Sequence, residues 1–158
     1  MIRFFFPLFF LLLLSAPAWA LSGRVVGIAD GDTITVLTAN KQQIKVRLYG
    51  IDCPEKKQAY GDRARDFTGA AVFGRDVQVE SLGRDRYGRT LGIVTGPDGR
   101  ILNRELLVNG LAWVYARYCK RPECVRWHDD EAEARSARRG LWRHKNPLPP
   151  WEWRKAKY

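Results

Sequence analysis

Residues 43–49, Gln-Ile-Lys-Val-Arg-Leu-Tyr, alternate polar and apolar side chains without a break until Tyr49. Successive side chains of a strand point to opposite faces, so Ile44, Val46 and Leu48 form one face and Lys45, Arg47 and Tyr49 the other. Arg47 is therefore carried away from the apolar core of its own strand, onto a surface where a ligand can meet it. Similar signals surround this segment. Arg24–Ile28 is β-branched and apolar, Asp30-Gly31-Asp32 breaks it, and Thr33–Leu37 alternates again, with a hairpin tip at Asn40-Lys41. Asp76–Glu80 and Thr90–Val94 read as further strands, and Pro97-Asp98-Gly99 as a turn. Between them, Asp62–Phe73 carries Ala64, Phe67, Ala71 and Val72 at i, i+3, i+7 and i+8, the spacing of one helix face. Asn103 reads as the N-cap of a short helix through Val108, closed by Gly110. A charge-rich helix over Arg126–Arg139, stopped by Gly140, has only a narrow apolar stripe of Trp127, Ala134 and Leu141.

Short strands interrupted by one helix and followed by others predict an α+β fold. The architecture is a five-stranded, partly open barrel of the OB type with about three helices. The N-terminus reads separately. Behind a basic start, Phe4 to Leu14 is an almost unbroken apolar run, and Ser15–Ala20 ends with Ala18 and Ala20 in the spacing of a signal-peptidase site. The run is shorter than the ~20 residues of a spanning helix. A signal peptide over 1–20 is expected, with a secreted or periplasmic product and no stable membrane association after cleavage. One domain over 21–145 follows, large enough to bury a core, then a basic aromatic tail over 146–158. The formal charge of +10 attracts polyanions (nucleic acid, anionic lipid or acidic polysaccharide) without choosing among them. Cys119 and Cys124 either close a short disulfide loop or join His128 on a metal. One nearby histidine and the absence of zinc spacing favour the disulfide, leaving Cys53 unpaired. His128 and His144 read as solvated helix-end residues.

Three blocks remain: Asp30-Gly-Asp-Thr33, Arg47-Leu-Tyr-Gly-Ile-Asp-Cys-Pro-Glu55 and Asp85-Arg-Tyr-Gly-Arg89. They supply carboxylates for a hard cation, one further acid and two arginines. Cutting a phosphodiester needs these parts, because the transition state gains negative charge that a metal and fixed guanidiniums can meet. Arginine suits the second task, since its planar fork grips two phosphate oxygens and stays charged. Singly, each block has a plainer reading: an Asp-Gly turn, a helix entry, surface charges of little consequence. Their joint occurrence is what argues for a site.

In this order and spacing the blocks resemble the staphylococcal nuclease (thermonuclease) family, and the resemblance extends through Tyr60-Gly61, Ala64 and Phe67-Thr68 over nearly all of 21–145. It implies an OB-fold, calcium-dependent nuclease acting on DNA and RNA, a monomer with no obligate protein partner. Carried across by motif, Asp32, Asp52 and the Cys53 carbonyl hold calcium, with Asp30 and Thr33 supporting them. Glu55 activates or orients the attacking water, and Arg47 and Arg89 grip the phosphate. Oxygen-only ligation in a loose shell agrees with calcium. Cysteine stands at position 53 where the family often has threonine, which changes little if only the carbonyl ligates. The Cys119–Cys124 insert and the aromatic tail look like the secreted bacterial branch. Lys56, Arg86, Tyr87 and Tyr115 are candidate substrate contacts, through charge or stacking. Two rival readings are a family member that only binds nucleic acid, and an envelope protein whose basic surface binds lipid or polysaccharide.

Overall fold

A computed structural model describes residues 20–156; residues 1–19, on which the signal-peptide reading rests, lie outside them. Ala20 opens β1 (Ala20–Asp30), which the Asp30–Asp32 turn joins to β2 (Thr33–Leu37). Next come β3 (Gln43–Leu48), the two-residue β4 (Ile51–Asp52), α1 (Gly61–Val72), β5 (Asp76–Arg84) and β6 (Thr90–Thr95). The chain ends with α2 (Leu102–Val108), β7 (Trp113–Val114), α3 (Glu123–Ser136), a 3-10 turn at Gly140–Arg143, and α4 (Pro150–Lys155).

Five strands close a barrel in the order β1-β2-β3-β6-β5. The OB-type barrel expected from the sequence is partly open, whereas the observed one is closed. Residues 20–24 extend β1, and they pair antiparallel with β5, Ala20 opposite Glu80 and Arg24 opposite Asp76, which closes the edge. The alternating faces are as expected at the centre of the core, where Val25, Ile34, Val36, Val46, Leu48, Val79 and Val94 are all buried. Ile44, nearer the hairpin tip, is only partly buried against them. β3 and β6 run parallel, setting Arg47 beside Leu91.

Two polar devices lock helices to this barrel, and neither is legible in the sequence pattern. Asn103 is not an N-cap: α2 begins one residue earlier, and Asn103 is wholly buried inside it. Its Oδ1 accepts from the Val94 amide at 3.0 Å, while its Nδ2 donates to the carbonyls of Tyr49 at 3.0 Å and Gly92 at 3.2 Å. α3 starts earlier than expected, at the Cys119–Cys124 disulfide, which forms as anticipated and leaves Cys53 unpaired and buried. On the helix, Asp130 and Glu131 turn inward. Asp130 takes a two-point bond from Arg104 of α2 at 2.7 and 3.0 Å, and Glu131 accepts from the Val114 amide of β7 at 3.0 Å. Through β7 the helix thus supports β4, which pairs with it, Asp52 opposite Trp113.

The segment read as a tail folds back on the domain. Gln58 Nε2 donates to the Leu148 carbonyl at 2.5 Å, and Pro149-Pro150 starts α4, a proline at the first helical position being pre-set for a helix. Removing the Asn103 side chain strands the Val94 amide and takes a donor from the Tyr49 carbonyl, while the Gly92 carbonyl keeps the Tyr49 amide at 2.8 Å; a buried group left unsatisfied costs about 1–3 kcal/mol. Asn103→Ala is expected to lower the unfolding free energy by about 3 kcal/mol, as read by urea denaturation.

Candidate active site

The β1–β2 turn sets the first acid. The Asp32 amide donates to Asp30 Oδ1 at 3.1 Å, so Asp30 fulfils its turn role. A Cβ on Gly31 would stand 2.7 Å from the Ala64 Cβ and 2.9 Å from the Cys53 side chain, so only glycine lets the turn lie on α1. Thr68 Oγ1 donates to the Gly31 carbonyl at 2.6 Å, and the Leu48 amide to the Asp32 carbonyl at 2.8 Å. Asp32 is thereby clamped between helix and barrel, its Oδ2 accepting from the Cys53 amide at 2.6 Å and its Oδ1 from Thr33 Oγ1 at 3.3 Å.

Arg47 ties this acid to the second one. Its Nη2 lies 3.1 Å from Asp32 Oδ2 and 2.8 Å from Asp52 Oδ1, while Nη1 donates to the carbonyls of Leu48 at 2.9 Å and Ile51 at 3.0 Å. The side chain does leave the barrel core, as its register requires. It does not reach open surface, however: it is 13% exposed, roofed by the loop that carries β4. Burial raises the Asp32 carboxyl above the ordinary range, with Arg47 opposing and Asp30 and Asp52 reinforcing the rise. Asp52 is raised for the same first cause, against bonds from Arg154 and Arg47. The Cys53 thiol is pushed well up by burial, so it is a poor thiolate ligand and its backbone is what it offers.

The remaining groups sit on turns. Past Pro54 the chain wraps over Gly61, where a Cβ would collide with the Glu55 carbonyl, and the Glu55 amide donates to Gln58 Oε1 at 3.0 Å. Across the cleft, the β5–β6 turn carries Arg89, whose Nε donates to Asp85 Oδ2 at 2.7 Å and whose Nη1 reaches Thr33 Oγ1 at 3.4 Å. Despite some desolvation, those bonds hold the Asp85 carboxyl below its usual value. Tyr87 is well exposed, with Arg86 Nη2 donating to its hydroxyl at 2.6 Å and the Arg89 guanidinium 5.5 Å from its ring centre.

One cleft of about 580 Å³ gathers Asp30, Asp32, Arg47, Asp52, Cys53, Glu55, Arg86, Tyr87, Arg89 and Tyr115 on its walls. Thr33 is buried behind it, and Lys56 is exposed but off the lining. Arg154 of α4 also lines the cleft, unforeseen. Its Nη1 donates to Glu55 Oε1 at 2.7 Å and its Nη2 to Asp52 Oδ2 at 2.8 Å. Pro149-Pro150 followed by Trp-Glu-Trp-Arg-Lys carried a helix-start signal in a basic segment, which could have marked it. No cluster of three or more His, Cys, Asp or Glu suited to a metal occurs among the described residues. Asp32 and Asp52 nevertheless converge on a single cationic group, Arg47 Nη2, and both offer hard oxygen donors. That donor chemistry fits calcium or magnesium, with backbone carbonyls and water completing a shell.

A family model described as staphylococcal nuclease homologue matches residues 45–144. The chain is 46% identical over 154 residues to a micrococcal nuclease of Shigella flexneri, covering 92% of this chain and 87% of that one. It is 45% identical over 135 residues to an uncharacterized endonuclease of Escherichia coli O157:H7, 85% and 86% covered. It is 43% identical over 116 residues to the staphylococcal-like nuclease CAN1 of Arabidopsis thaliana, covering 73% of this chain and 35% of that one.

Two stability measurements check the electrostatics. Removing Arg47 leaves two buried acids without their shared partner, so Arg47→Met is expected to cost about 3–5 kcal/mol in urea unfolding. Arg89→Met, which breaks a partly buried pair on a hairpin turn, is expected to cost about 1 kcal/mol. Because the folded state raises the Asp32 pKa, it keeps a proton that the unfolded chain releases near pH ~4. Stability in chelator therefore falls as pH climbs from there toward the higher folded value, and Asp32→Asn is expected to flatten that slope.

Proposed function

The chain belongs to the staphylococcal nuclease homologues, and from that premise we propose that it is a secreted or periplasmic, calcium-dependent nuclease. It hydrolyses phosphodiester bonds of DNA and RNA with low sequence preference. The observation that carries this reading is a single cleft in which a carboxylate pair, a further glutamate and two arginines face one another. A binding module has no use for that combination.

Asp32 and Asp52, with the Cys53 carbonyl, are the residues that would hold calcium. Bound there, the ion supplies Lewis acidity and offsets charge developing on the phosphoryl oxygens. Arg47, one of the two arginines proposed to grip the phosphate, also keeps the two acids in register through its four-point grip. Glu55, on a loop rather than a strand, orients the attacking water and accepts its proton. Arg89, aimed by Asp85, meets the phosphate from the opposite wall and stabilises the pentacoordinate phosphorus. The gripping contacts are to phosphate, which carries no sequence information. Tyr87 and Tyr115 offer ring faces that accept any base. Arg84, Arg86 and the general basic charge draw the polyanion in. Secretion is supported by the N-terminal pattern and by the Cys119–Cys124 disulfide, a bond that persists in oxidising compartments.

The test is digestion of supercoiled plasmid and of labelled RNA in calcium and in chelator. Both substrates are expected to be cut only with calcium, and Glu55→Gln and Arg89→Ala are each expected to slow cutting by about a hundredfold or more. Undiminished cutting in chelator overturns the metal dependence. Salt-sensitive binding without any cutting returns the protein to the class of binding modules.

A further inference from the structure

The proposed catalytic groups are engaged by a segment that the mechanism does not use. Arg154 Nη1 lies 2.7 Å from Glu55 Oε1 and 3.3 Å from Asp52 Oδ1, and Nη2 lies 2.8 Å from Asp52 Oδ2. Asp52 is 2% exposed, so a guanidinium from the rim reaches inward to touch it. Arg154 therefore competes with water for Oε1 of Glu55. Three residues earlier, one helical turn along, Trp151 lies flat on Tyr115, ring centres 5.0 Å apart and planes within 9°. One face of α4 thus covers both the acids and an aromatic wall of the cleft.

We propose that α4 is a strap holding the cleft closed, with the Arg154 guanidinium in the place of a cation, and that a divalent ion at Asp32 and Asp52 expels Arg154 and frees α4. The inference rests on the nuclease reading of this cleft.

Two guanidiniums compete with an incoming divalent ion for Asp52, and their anchorage decides which one yields. Arg47 stands on a barrel strand and is fixed by two backbone carbonyls as well as two carboxylates. Arg154 stands on a helix of six residues, and its hydrogen bonds all go to Asp52 and Glu55. A helix that short is not self-sustaining and depends on its docking contacts. Among these are the Arg154 bonds, the Trp151 stack on Tyr115, the packing of Trp151 on the cluster of Trp113, Ala134, Leu141 and Trp142, and the Gln58 bond to Leu148. Displacing Arg154 removes the charged contact, frees Glu55 Oε1 and loosens the cover on Tyr115. The strap also lies past residue 144, the last one that the nuclease family model matches.

Hydrogen exchange over residues 146–156, with and without calcium, reads the strap directly, and calorimetric titration with calcium reads the competition. Calcium is expected to speed exchange of that segment in the wild-type protein. In Arg154→Ala the segment is expected to exchange fast from the start, with calcium bound about tenfold more tightly. Arg143→Ala, an equal charge loss away from the cleft, is expected to leave both unchanged. Calcium that binds and supports cleavage while exchange of 146–156 stays slow, or Arg154→Ala with wild-type affinity, overturns the strap and leaves the nuclease reading standing. No calcium binding by either protein overturns both.

Discussion

Asp32 and Asp52 lie almost wholly out of water, and the fold tolerates them because one guanidinium touches both. Arg47 Nη2 is 3.1 Å from the first and 2.8 Å from the second, while its other amino group is pinned to the carbonyls of Leu48 and Ile51. Burying two like charges is costly, and a shared, fully bonded counter-ion is what makes it bearable. Everything around the trio serves its geometry. β3 carries the arginine, its parallel partner β6 fixes that strand, the β1–β2 turn presents Asp32, and β4 with β7 presents Asp52. α3 contributes at a distance, because Glu131 holds the Val114 amide of the strand that Asp52 pairs with.

Much of this could be read in the residues, and the misses share a cause. Period-two alternation located the strands, and the Asp-Gly-Asp, Asp-x-Pro-Glu and Tyr-Gly-Arg blocks do meet in one cleft. Alternation says which side chains share a face, but not what covers the face. Arg47 does leave the core for the wall of the cleft, as alternation requires, but its partners there, Asp32, Asp52 and the carbonyls of Leu48 and Ile51, come from outside the pattern. Barrel closure depends on pairing between strands far apart in the chain, and no local pattern reports that Ala20 will meet Glu80. Asn103, Asp130 and Glu131 look like ordinary polar helix residues until their partners from other elements are known. Lys56 follows the active loop in sequence, yet the turn over Gly61 leaves it outside the cleft.

The site combines two grades of support. Asp32, Arg47 and Asp52 are borne by strands or by a turn locked onto a helix, and each is tied to backbone groups from another element or from its own loop. Glu55, Arg89 and Arg154 are borne by a loop, a hairpin turn and a six-residue helix. Precise geometry is best kept on regular elements, and low local stability is where motion is found. The fixed group matches the cation site proposed above, and the adaptable group matches parts proposed to close on, or withdraw from, a nucleic acid.

Charge completes the argument. The protein is strongly basic overall, +10 in formal charge, so a polyanion is drawn toward it from a distance. At the cleft floor the excess of positive charge is lost: Asp32, Asp52 and Glu55 face Arg47 and Arg154, and the proton that burial keeps on Asp32 leaves acids and guanidiniums near balance. On the proposed reading, a divalent cation between Asp32 and Asp52 would place concentrated positive charge where the phosphodiester arrives. Arg154 supplies one positive charge there where the ion would supply two, and it engages Glu55 in doing so. On the proposed reading, a single arginine can therefore quiet the acids at rest without replacing the ion, because it carries half the charge and competes with water for Glu55 Oε1.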